Sequence, residues 1–226
     1  MTDKDLLSLE GSIGVNPEEK IKDWVEKCAM PYRYQKENFG TFKTAWQPKA
    51  FSVCKAFAED FNLDKIHSQA TLALLSPTVW GNGKTHLAAA IAHRIFQRYA
   101  DSIEYCPIRW VSEPVLFRQI RDTYGGGFIK EADIIKPLIG ARLLIIDDIG
   151  KEEVKDPIFV QRTLFAIFDA RYNAELPLVF TSNLSVDGLK FYLGGNRGNE
   201  ASFNRLAEAA NFVIMAGKSY RTRGDR

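Results

Sequence analysis

From residue 71 to residue 217 the chain alternates two kinds of hydrophobic pattern. Short, mostly apolar runs read as strands buried on both faces: "TLALLS" (71–76), "IRWV" (108–111), "ARLLIIDD" (141–148), "LPLVFTSN" (176–183) and "FVIMAG" (212–217). Between them, at 84–100, 113–124, 157–172 and 201–210, the pattern is helical. Leu87, Ala90, Ile91 and Ile95 share one face of the first of these helices. Ser112 stands where the N-cap of the second belongs. Strands alternating with helices predict an α/β fold whose parallel sheet is covered on both faces. Ligands of such sheets bind at the carboxyl ends of the strands.

The pattern before residue 71 differs. Residues 1–16 are polar and read as a flexible tail. Residues 17–29 predict a helix, with Pro17 in the first turn and Ile21, Trp24, Val25 and Cys28 at helical spacing. A second helix is predicted over 48–62. The chain therefore divides into the tail (1–16), an N-terminal helical and linker segment (17–48) and the α/β core (49–226).

Composition narrows the class without naming it. The 226 residues are 46% hydrophobic and 26% charged, enough for one large domain with a full core. A net charge of +2 makes any basic surface a local patch. Cys28, Cys54 and Cys106 are dispersed and show no metal-type pairing, as expected of reduced thiols. No apolar run is long enough to cross a membrane, and the N-terminus lacks the layout of a secretion signal. The expectation is a cytoplasmic protein with no membrane partner.

Candidate chemistry begins at "TVWGNGKTHLAAA" (78–90), between the first strand and its helix. A phosphate-binding loop follows G-x-x-x-x-G-K-[ST] and aims successive backbone N–H groups and a helix N-terminus at phosphates. Here Gly81, Asn82, Gly83, Lys84, Thr85 and His86 match, with Lys84 for the β/γ-phosphates and the Thr85 hydroxyl for Mg²⁺. Thr78 replaces the first glycine. A β-branched residue resists positive φ, so the loop entrance must take another path. The strand "LLIIDD" ends in Asp147, placed to hold Mg²⁺, and Asp148, placed to act as a base or to orient water. Asn183 ends "FTSN" at the tip of another strand, where it can orient the attacking water.

These stretches resemble the DnaC/DnaI/IstB group of AAA+ ATPases, bacterial helicase loaders and transposition helpers. "MPYRYQKENFGTF" (30–42), "GNGKTHLAAAIAHRI" (81–95), "LLIIDDIGKE" (143–152), "FDARYNAELPLVFTSNLS" (168–185), "FNRLAE" (203–208) and "GKSYR" (217–221) carry the resemblance. It implies a three-layer AAA+ sandwich of the ASCE P-loop type around a central five-stranded parallel sheet. It also implies an ATPase with ATP and Mg²⁺ as cofactors. Lys84 and Thr85 become the Walker A pair, Asp147 the Walker B acid and Asn183 the sensor residue. Arg205 becomes the finger that reaches a neighbouring subunit's γ-phosphate, so self-association runs through it. Tyr34 falls near the adenine, and Arg221 matches the terminal arginine of the group.

The chain departs from the group at Thr78, at Asp148 where many AAA+ proteins carry Glu, and in stopping just after the last strand, with the lid absent or rudimentary. In the group a helical insertion between the Walker motifs contacts single-stranded DNA. That region is 112–140 here, and it offers Arg118, Arg121, Lys130 and Lys136 beside "YGGGF". The same cations also suit a solvated basic face. The resemblance implies a replicative helicase loader, with the helicase and single-stranded DNA as partners. Two alternatives stay open: a transposition helper on duplex DNA, and a nucleotide-binding scaffold with weak hydrolysis.

Overall fold

The computed structural model describes residues 16–65, 71–151, 156–194 and 200–220. Five parallel strands form one sheet in the order β2-β3-β4-β1-β5. They are β1 (Thr71–Leu75), β2 (Ile108–Ser112), β3 (Leu143–Ile149), β4 (Leu178–Ser182) and β5 (Ala210–Ile214). Central β1 and β4 are buried along their whole length, as continuous apolar runs require when both faces are covered. β1 lies between β4 and β5, so the loop after it leaves an interior strand of the sheet.

Helices cover both faces and give three layers. On one face α1 (Pro17–Lys27), α2 (Pro48–Asp60) and α3 (Lys84–Tyr99) share a core with β1 and β3. Trp24 is fully buried there, its ring 5.6 Å from that of Phe96. The segment before residue 49 thus packs into the main core and forms part of its first layer. α1 starts as its sequence demands, with Pro17 at the first turn and the Asn16 side chain accepting from the Glu18 N–H at 3.0 Å.

The opposite face carries α4 (Glu113–Asp122), α5 (Glu131–Gly140), α6 (Pro157–Asn173), α7 (Val186–Tyr192) and α8 (Ala201–Ala209). Leu116, Phe117, Leu164, Phe168 and Phe180 are central to that core. Periodicity missed α5 and α7. Pro137 interrupts the hydrogen-bond pattern within α5, and α7 has only 7 residues with Gly188 among them. The buried Arg171 of α6 holds the end of α5, donating to the carbonyls of Leu138, Ile139 and Ala141 at 2.8–3.0 Å.

Ser112 is the N-cap of α4 as expected, although its hydroxyl makes no capping bond; it is also the last residue of β2, paired in register with Asp147. One strand boundary needs correction. The final strand covers 210–214 instead of 212–217, because Ala210 already pairs with Thr71. Among the described residues, no helix is long and apolar enough to cross a membrane.

Candidate functional site

At the carboxyl ends of β1, β3 and β4 a cleft of about 700 Å³ opens, walled on one side by the 33–43 segment. The loop from β1 to α3 forms its floor. Gly81 and Gly83 lie in the left-handed region, at φ +74° and +98°. At Gly83 a Cβ would also sit 2.7 Å from the Phe42 ring and 3.1 Å from that of Tyr220. The loop is therefore closely packed from outside as well as turned tightly from within.

Thr78 adopts no left-handed conformation; among described non-glycine residues only Ala29, Asp148 and Glu175 do. Side chains secure the loop entrance. The Ser76 hydroxyl donates to the Val79 carbonyl at 2.5 Å and accepts from Asn82 Nδ2 at 2.7 Å. Asn82 Nδ2 also donates to the Met215 carbonyl at 2.8 Å. Farther along, the Tyr220 N–H donates to the Gly81 carbonyl at 2.9 Å. Asn82 is fully buried, so its side chain braces the loop from beneath. Trp80 is 73% exposed at the rim of the cleft.

The reactive groups converge above the loop. Lys84 Nζ donates to Asn183 Oδ1 at 2.7 Å, joining the end of β4 to the start of α3. The Thr85 hydroxyl donates to Asp147 Oδ1 at 3.0 Å. Thr181 also donates to Asp147 Oδ1, at 2.6 Å. Burial, with the neighbouring Asp148 carboxylate adding to it, pushes the Asp147 pKa up to about 6. A buried carboxylate beside a hydroxyl, facing a glycine-rich loop, is a donor set that fits Mg²⁺. The fit to a nucleoside triphosphate rests on the same geometry: a helix N-terminus, Lys84 and two left-handed glycines on one cleft.

Asp148 owes its position to a bulge. Ile146 pairs with Phe180 and Ile149 with Ser182, so β3 carries one extra residue at its end. Asp148 takes φ +62° there, and its N–H donates to Thr181 Oγ1 at 2.9 Å. Its carboxylate pairs with Lys151 at 2.8 Å. The following turn is held by Glu113, whose Oε2 accepts from the N–H groups of Gly150 and Lys151 at 2.8 and 3.0 Å. Sequence reasoning missed Ser76, Glu113, Lys151 and Thr181. The Thr in "FTSN" was visible beside Asn183, whereas nothing local marks Glu113, 37 residues from its partner Gly150.

Other candidates fall into two groups. Tyr34 lines the cleft beside Arg33. His86 lines it too, but its Nε2 lies 3.0 Å from the Asn38 carbonyl and 3.1 Å from Thr41 Oγ1, joining α3 to the N-terminal wall. Arg205 stands away from this cleft, paired with Asp169 at 2.7 Å and stacked over Phe165. Arg118 and Arg121 are exposed on α4, Lys130 precedes α5 and Lys136 is exposed on it; none lines the cleft. Arg221 lies outside the described residues.

Comparison with known proteins agrees with this geometry. A family profile described as IstB-like ATP binding protein matches residues 43–226. A crystal structure of DnaI superposes with a TM-score of 0.68 at 22% identity, covering 85% of this chain and 94% of that one. A DnaC helicase loader gives 0.62 at 23%, covering 82% and 100%. The replication initiator DnaA bound to AMPPCP and single-stranded DNA gives 0.61 at 18%, covering 84% and 51%. At these identities the structural likeness is one of fold. No curated protein sequence matches the chain.

Proposed function

The chain belongs to the IstB-like ATP-binding proteins of the AAA+ class, and from that premise we propose that it hydrolyses ATP and acts as a replicative helicase loader on single-stranded DNA. The observation that carries the ATPase reading is the convergence of Lys84 with Asn183 and of Thr85 with Asp147, at 2.7 and 3.0 Å, over a glycine loop. The loop N–H groups and Lys84 bind phosphate. Thr85 and Asp147 would hold Mg²⁺, which when bound supplies positive charge against the phosphoryl oxygens. Asp148 and Asn183 orient a water at the terminal phosphate. Arg205 exchanges Asp169 for a neighbouring subunit's nucleotide and stabilises charge there. Tyr34 borders the base.

The loader reading is supported by likeness to DnaI and to the DnaC helicase loader across most of both chains. Arg118, Arg121, Lys130 and Lys136 form the proposed strand-binding face, next to the exposed rings of Tyr124 and Phe128. The test is capture of a replicative helicase with and without ATP, with Lys84→Ala as control. ATP-dependent capture lost in Lys84→Ala supports the loader; absence of capture in every nucleotide state overturns it. The family profile favours a second reading, a transposition helper acting on duplex DNA. Tighter binding to duplex than to single strands, with no helicase capture, would select it.

A further inference from the structure

Of the three lysines that line the cleft, Lys84 and Lys151 each rest on a residue proposed to handle water. Lys84 Nζ sits on Asn183 at 2.7 Å, and Lys151 Nζ sits on Asp148 Oδ2 at 2.8 Å. Both lysines line the same cleft. Lys84 is buried, whereas the Lys151 side chain is 61% exposed and that of Asp148 is 26% exposed.

The main chain of Lys151 is held where its side chain is not. Its N–H and that of Gly150 share one oxygen of Glu113, which is fully buried and also accepts from the Tyr192 hydroxyl at 3.1 Å. Gly150 takes φ +86°, and a Cβ there would lie 2.4 Å from Leu184 Cδ1, so the turn has little room to move. Lys151 is thus a long cationic arm on a fixed pivot. An exposed ion pair three residues apart is worth little in water, so the ammonium changes partners at small cost. A terminal phosphoryl group presents more negative charge and more acceptor oxygens than a carboxylate.

We propose that Lys151 is a second phosphate-reading cation, which exchanges Asp148 for the terminal phosphoryl group of a bound nucleoside triphosphate. The exchange leaves the Asp148 oxygens open to water only when a triphosphate is bound. A diphosphate leaves the Lys151–Asp148 pair closed. The inference rests on the nucleotide site proposed above.

The test is calorimetric titration of the full chain with Mg²⁺-ADP and with the non-hydrolysable analogue Mg²⁺-adenylyl-imidodiphosphate. In Lys151→Met the affinity for the analogue falls about tenfold, as expected for loss of one charge-assisted contact, while ADP affinity is unchanged. Lys151→Arg retains the discrimination. Asp148→Asn tightens analogue binding about threefold by removing the competing carboxylate, and does so only when Lys151 is present. Equal losses for both nucleotides, or no loss for either, overturn the inference while leaving the nucleotide site standing. Failure of the unmodified chain to bind either nucleotide overturns both.

Discussion

The glycine-loop cleft and the α4–α5 face use similar residues in opposite ways. At the cleft and just beneath it, Lys84, Asp147 and Thr181 are buried and hydrogen-bonded: Lys84 to Asn183, and Asp147 to both Thr85 and Thr181. On α4–α5 the cations Arg118, Arg121, Lys130 and Lys136 are exposed, as are Tyr124 and Phe128. The glycines make the same contrast. A Cβ at Gly83 would strike Phe42, whereas one at Gly125, Gly126 or Gly127 would meet nothing within 4 Å. A prepared site concentrates its energy in few atoms. A solvated face acts through summed charge, with each residue contributing little.

The sharpest break is at Gly83. Gly83→Ala combines positive φ with ring contact, at a cost of about 2–4 kcal/mol, and lowers ATP affinity on the order of 100-fold. Denaturant unfolding and nucleotide titration would measure both. Unchanged ATP binding would show that the loop is less constrained than its packing implies.

Asp147→Asn probes the cost of preparing the site. Its raised pKa means that the charged form is disfavoured in the folded chain, so the penalty grows from pH 3.8 upward and is full above about pH 6. Hydrolysis is lost in the variant. The ligand-free protein gains on the order of 2 kcal/mol at pH 8, with a smaller gain at pH 5, read from unfolding curves at the two pH values.

Thr181→Val removes the hydroxyl that donates to Asp147 and accepts from the Asp148 N–H. Hydrolysis slows about tenfold, the effect of one lost hydrogen bond at a buried charge. The Thr181 bond lowers the Asp147 pKa, so its loss moves the acid limb of the rate profile to higher pH. A uniform drop at every pH would make Thr181 a packing residue instead.

On the other region, Arg118→Ala with Arg121→Ala weakens single-strand binding several-fold and flattens its salt dependence by roughly 0.7 per lost phosphate contact. ATP affinity stays as it was. Loss of ATP binding alongside would mean the two regions are not separable. The smallest effect is at Gly127→Ala, where open space predicts a change under about 1 kcal/mol and unaltered nucleotide binding.

The features legible in advance were those carried by contiguous residues. "LLIIDD" announced a buried strand ending in acids, and "GNGKT" announced a tight glycine loop between β1 and α3, because period and glycine spacing are local signals. Sequence also located Asn183, through its place at a strand tip. It did not reveal α5 or α7, where Pro137 and Gly188 contradict helical propensity and packing overrides it.

The chain by itself determined a parallel α/β fold and the glycine loop and acid pair at the ends of its strands, since burial on both faces and close backbone turns leave their mark on neighbouring residues. Tertiary structure decided how the loop forms without a glycine at Thr78, through Ser76 and Asn82 bonded beneath it. It also decided where the two acids of β3 sit, through a bulge pinned by Thr181 and a turn pinned by Glu113. Those partners lie 33 and 37 residues away, and a hydrogen bond across such distance has no period to read.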